Sequence, residues 1–152
     1  MSAQQPRYWR DALFYAAIAA ALAYWLALLL VTRPQPDLNW PLREPLVFIY
    51  PALLYPVVEE LVFRGLLQDL AHRYLKAWRL GPLTHANILT SLVFTALHFI
   101  HHPPLWAAAV LAPSLLFGFF KDRSGGLAAP ILLHVFYNSG YFWLFTRLAP
   151  GQ

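Results

Sequence analysis

The 152-residue chain contains no cysteine. Disulfide scaffolds, thiolate zinc sites and cysteine nucleophiles are thereby excluded. Charge is scarce as well. Asp, Glu, Lys and Arg make up 12% of the residues, against roughly 25% in a soluble domain. The remainder is 59% hydrophobic and 16% aromatic, with a mean hydropathy of +0.48. A disordered chain is excluded, and the composition argues for lipid rather than water as the solvent. The formal net charge of +4 then reads as a bias across a bilayer, not as a nucleic-acid footprint.

Five apolar stretches are present: Ala12 to Thr32, Leu46 to Leu70, Ala86 to Ile100, Leu105 to Phe120 and Leu127 to Phe145. The first is uncharged and long enough to cross a hydrocarbon core of about 30 Å as a helix. It is too long for the apolar segment of a signal peptide, so it reads as an uncleaved span. The third and fourth are short for spans unless protein shields their ends. Breakers separate the stretches: Arg33-Pro34-Gln35-Pro36, Pro41 and Pro45, Leu80-Gly81-Pro82, His101-His102-Pro103-Pro104, and Asp122-Arg123-Ser124-Gly125-Gly126. The expected architecture is all-α, a single polytopic membrane domain over residues 1–152. It has about five transmembrane helices, a leading span at 12–32 and a core at 46–148.

Charge bias sets the orientation. With the N-terminus cytoplasmic, Arg7, Arg10, Arg73, Lys76, Arg79, Lys121 and Arg123 lie inside, while Arg33, Arg43 and Arg147 lie outside. That is the positive-inside arrangement. Trp9, Trp40, Trp78 and Trp143 fall near span ends, as an interfacial belt would.

The second stretch carries Glu59, Glu60 and Arg64. A charged side chain in a span costs at least ~2.5–3.5 kcal/mol and therefore has a partner or a function. Glu60 and Arg64 are one turn apart on one face and can pair. Glu59 is rotated by about 100° from Glu60, which leaves it free to face a cavity. Pro56 removes a backbone donor, so the span either kinks there or restarts with Pro56 in its first turn. The third stretch carries Phe94 and His98 on one face, and the fifth carries His134 and Asn138 on one face. His72, His85, His101 and His102 lie in or near connections and read as solvated.

A carboxylate and an imidazole can share a water and remove its proton as it attacks a carbonyl. An imidazole and a carboxamide can donate hydrogen bonds to the resulting oxyanion. Together they suffice for peptide hydrolysis without a covalent nucleophile. Two histidines and a carboxylate could instead ligate zinc with a position left for water, and that set would be Glu59, His98 and His134. The His-Glu-x-x-His helix of zinc peptidases is missing. A proton carrier built on buried Glu and His is the weaker alternative, because the fourth stretch offers no ionisable residue.

Glu59-Glu60-x-x-x-Arg64 followed by Gly65, Phe94-x-x-x-His98, and His134-x-x-x-Asn138 resemble the three motifs of one family. It is the CAAX-protease and bacteriocin-processing family, also called type II CAAX prenyl endopeptidases or Abi proteins, which are intramembrane glutamate proteases. The resemblance implies a helical membrane domain in a bacterial cytoplasmic membrane, acting on a membrane-associated protein or peptide. It implies that Glu59 and His98 activate water, that His134 and Asn138 form the oxyanion hole, and that Glu60, Arg64 and Phe94 support them. It also implies catalysis without a cofactor, a divalent metal such as zinc being the variant. A non-enzymatic immunity or scaffold protein of the same fold is the alternative function.

Overall fold

The computed structural model describes residues 8–75 and 78–146. Arg7, Lys76 and Arg147, used above in the charge count, lie outside the described residues. After a 3-10 turn at Tyr8–Arg10, helix α1 spans Ala12–Thr32. Asp11 caps it, its Oδ1 accepting from the Leu13 N–H at 3.1 Å, which satisfies one orphan donor of the first turn. Arg33, in a left-handed conformation, ends it. A short helix α2, Trp40–Arg43, leads into a long helix α3 over Pro45–Tyr74. A two-residue hairpin pairs β1 (Arg79–Leu80) with β2 (Leu83–Thr84), turning at Gly81, whose φ of 59° suits glycine. Helices α4 (His85–His98), α5 (Pro104–Ser124) and α6 (Ala128–Phe145) follow.

All five apolar stretches become helical. Among the described residues, three helices, α1, α3 and α5, are long and apolar enough to cross a membrane. Helix α4 has 14 residues, which at 1.5 Å per residue reach only about 21 Å. Helix α6 has 18 residues, but His134, Asn138 and Ser139 dilute its apolar character. The fourth stretch corrects the sequence boundary. The helix runs on to Ser124 because its last charged residues are partnered: Lys121 meets Asp69 at 2.9 Å and Arg123 pairs with Asp11. Gly125, at φ 64°, then ends it.

The bundle packs α4 on α5, α5 on α6, and α6 on both α3 and α1. A core of Phe14, Ala17, Phe117, Phe120, Ala129 and Leu133 joins α1, α5 and α6. Close backbone approach matters at two glycines. A Cβ on Gly118 would lie 2.0 Å from Asn87 Oδ1, and one on Gly140 would lie 2.2 Å from the Trp25 ring. Most large apolar side chains point outward, as lipid-facing helices require; Leu26, Leu30, Leu53, Leu61 and Leu92 are exposed. Trp40 is an exception to the interfacial belt. It is buried, and its indole N–H donates to the Trp143 carbonyl at 3.1 Å while Trp143 donates to the Leu38 carbonyl at 3.0 Å.

Pro56 neither breaks nor restarts α3. The helix widens instead, with π-helical stretches at Tyr50–Leu54 and Leu61–Gln68 flanking an α-helical Tyr55–Glu60. A widened turn absorbs a missing donor and commonly marks a functional region.

Candidate active site

Helix α3 presents both glutamates toward α6, and their environments differ. The Glu60 side chain is fully buried, whereas that of Glu59 is 31% exposed. Glu60 Oε2 faces Arg64 Nε at 3.4 Å, one turn along the helix. Glu60 Oε1 lies 2.8 Å from His134 Nδ1. The other ring nitrogen, His134 Nε2, lies 3.6 Å from Glu59 Oε2. A single imidazole thus bridges the two carboxylates. With Glu60 ionised, Nδ1 carries the hydrogen and donates it.

Arg64 is buried yet well contacted. Its Nη2 donates to both the carbonyl and the hydroxyl of Ser114, each at 2.8 Å. The guanidinium lies 5.1 Å from the Phe94 ring centre and 5.9 Å from that of Phe117, so its faces meet π-systems. The same two rings frame His134: Phe117 stacks on it at 4.6 Å and Phe94 meets it edge-on at 6.1 Å. A buried ion pair is tolerable only when further hydrogen bonds satisfy its remaining groups. Ser114 bonds Nη2 of Arg64 and His134 bonds Oε1 of Glu60, while Glu60 Oε2 and the Nε and Nη1 of Arg64 are buried without a hydrogen-bond partner.

His98 ends α4. Its Nδ1 donates to the Phe94 carbonyl at 2.8 Å, because a carbonyl can only accept. Its Nε2 then carries the lone pair in the neutral ring. The ring lies tilted against Phe94 with centres 4.4 Å apart, so Phe94 contacts both histidines. On the outer side His102 lies tilted against Trp106 with ring centres 4.1 Å apart, and Trp106 donates to the Tyr141 hydroxyl at 3.2 Å.

Asn138 lies one turn beyond His134 and also reaches α3. Its Nδ2 donates to the Pro51 carbonyl at 3.0 Å, and Ser139 Oγ reaches the Ala52 carbonyl at 3.4 Å. The donor these carbonyls would meet at the fourth or fifth position along is that of residue 56, and proline has none. The Tyr55 N–H is spent on Tyr50. Helix α6 therefore supplies what Pro56 removes. The second Asn138 amide hydrogen is not used by Pro51.

Helix placement thus brings Glu59, Glu60, Arg64, Phe94 and His134 together, with His98 against the Phe94 ring and Asn138 one turn along α6 from His134. Sequence reasoning passed over Ser114, Phe117 and the Pro51 carbonyl. Ser114 was signalled only by being a hydroxyl in an apolar stretch. The peripheral histidines are not simply solvated: His72 meets Asp122 at 2.8 Å, and His85 lies against Trp78 at 4.9 Å between ring centres. Among the described residues, no group of three or more His, Asp or Glu side chains is arranged to hold a metal ion. As placed, Glu59, His98 and His134 do not form a ligand sphere.

The sequence profile described as "Type II CAAX prenyl endopeptidase Rce1-like" matches residues 41–140, well over half of the chain. A curated protein of Escherichia coli, described as an uncharacterized 24.3 kDa protein, is 36% identical over 84 residues, covering 55% of this chain and 36% of the relative. The chain matches little more than a third of that relative's length. No solved structure matches. The matched span contains Glu59, Glu60, Arg64, Phe94, His98, Ser114, His134 and Asn138, and the three apolar helices make the chain an integral membrane protein. The chain belongs to the Rce1-like family of type II CAAX prenyl endopeptidases.

Proposed function

We propose that the chain is an intramembrane endopeptidase of a bacterial cytoplasmic membrane, with its N-terminus inside, that hydrolyses a peptide bond in a membrane-associated protein or peptide. The carrying observation is the pair of glutamates around one histidine. Glu60 is buried and committed to Arg64 and His134, while Glu59 opens to the site.

Water binds between Glu59 and the free Nε2 of His98. As its oxygen attacks the substrate carbonyl, its proton passes to this pair, with the tautomer of His98 held by the Phe94 carbonyl. The carbonyl π-bond opens to an oxyanion. Protonated His134, anchored through Nδ1 to Glu60, donates from Nε2, and the second amide hydrogen of Asn138 donates beside it. When the tetrahedral species collapses, the C–N bond breaks and the leaving amine takes the proton back from the Glu59 and His98 pair. Phe94, Arg64 and Ser114 keep the rings and carboxylates in place. Neither a resident cofactor nor nucleic acid has a role in this scheme.

The test removes the gene in its host and restores it as wild type or Glu59→Gln at equal abundance. The termini of membrane and exported proteins are then mapped by mass spectrometry. A terminus found only with wild type is the expected result. Identical termini in the two strains would reject proteolysis and leave a non-enzymatic immunity or scaffold role.

A further inference from the structure

The end of the bundle remote from Asn138 holds a cleft of about 90 Å³ that the proposed chemistry does not use. Its lining includes His72 from the end of α3, Trp78 and Arg79 from the hairpin, and His85 and Ala86 from the start of α4. Three of the seven lining side chains, His72, Arg79 and His85, are basic. Neighbouring basic groups are matched internally: Lys121 by Asp69, Arg123 by Asp11 and His72 by Asp122. Arg79 has no acidic partner among the described residues. Asp122 does not line the cleft, and its two oxygens are occupied by Gln68, His72 and Thr84. His85 is held against the Trp78 ring. The first turn of α4 also lies here, with the His85 and Asn87 N–H groups taken by the Trp78 carbonyl and Thr84 Oγ.

We propose that this cleft binds the phosphate of an anionic lipid headgroup. A water's share of liquid volume is about 30 Å³, so the cleft has room for one phosphate-sized group. Arg79 offers a planar fork of donors suited to phosphate oxygens, and His85 lies beside it in the lining. Depth agrees, because the candidate spans Pro45–Tyr74 and Pro104–Ser124 both end at this level. Exposed Trp78 and Leu80 flank the cleft, as residues at a bilayer surface do. The proposal is independent of the protease reading.

The test uses the full chain in a neutral detergent, examined by native mass spectrometry. Phosphatidylglycerol, phosphatidylcholine or inorganic phosphate is added. Wild type should retain phosphatidylglycerol in preference to phosphatidylcholine. Arg79→Gln should weaken that retention about tenfold, the loss expected for a charge-assisted contact. Arg79→Lys should retain part of it, and Arg73→Gln, outside the lining, should leave it unchanged. Inorganic phosphate that binds wild type and displaces the lipid would support the site with a free anion as occupant. Phosphate without effect, alongside lipid binding that depends on Arg79, would support the headgroup. Should Arg79→Gln lose helical signal, His85→Ala gives the same readout. Equal lipid retention in wild type and the cleft variants would overturn the proposal, as would an equal loss in Arg73→Gln.

Discussion

Glu60 Oε1 stands 2.8 Å from His134 Nδ1, and this contact ties the longest helix of the bundle to the last one. It turns the imidazole so that its other nitrogen faces Glu59. Adjacent carboxylates thereby take different work, one holding the ring and the other open to substrate.

Glu59→Gln should lower turnover by about 10²–10⁴-fold, the usual worth of a positioned acid–base group. Helical content and thermal stability should stay near wild type, because the side chain is partly exposed. Cleavage of the mapped substrate by protein reconstituted in vesicles, with circular dichroism on the same samples, checks both. Full activity in the variant would remove Glu59 from the mechanism.

Glu60→Gln should behave differently. It leaves the Arg64 charge buried without its counter-ion, a loss of about 3–5 kcal/mol for such broken pairs. Stability and activity should fall together. Thermal unfolding in detergent distinguishes this from Glu59→Gln; an unchanged midpoint would contradict the buried pair.

Asn138→Ala should destabilise by about 1–3 kcal/mol, because the Pro51 carbonyl loses its donor. Adding Pro56→Ala restores a backbone N–H to α3. The double variant should therefore regain stability yet remain inactive if Asn138 also serves the oxyanion. Recovery of activity along with stability would limit Asn138 to bracing the helix.

Gly118→Ala should cost about 1–3 kcal/mol through overpacking, since its Cβ would meet Asn87 Oδ1 at 2.0 Å. Combined with Asn87→Ala, the loss should be less than the two single losses together, because the residues touch. Strict additivity in a double-mutant cycle would count against the α4–α5 contact described here.

How far the site was legible follows from helix geometry. Spacing of four along one helix placed Glu60 with Arg64, Phe94 with His98 and His134 with Asn138, because such neighbours share a face whatever else the chain does. The rotation between consecutive residues separated Glu59 from Glu60 in the same way. Trp40 could not be placed like this. Its burial depends on the segment before α3 folding back on the end of α6, a contact between residues 103 apart. Ser114 escaped notice for the same reason, since its partner is 50 residues away.

The sequence by itself determined a helical membrane protein, the identity of its ionisable groups and their pairing within each helix. Composition selects the solvent, and the helical repeat determines local neighbours. Only the tertiary structure decided that His134 bridges both glutamates and that Asn138 fills the gap left by Pro56. It also matched Arg64 with Ser114. Those contacts depend on the register between α3, α5 and α6. The widened turns of α3 shift that register, and a regular helical repeat does not contain them.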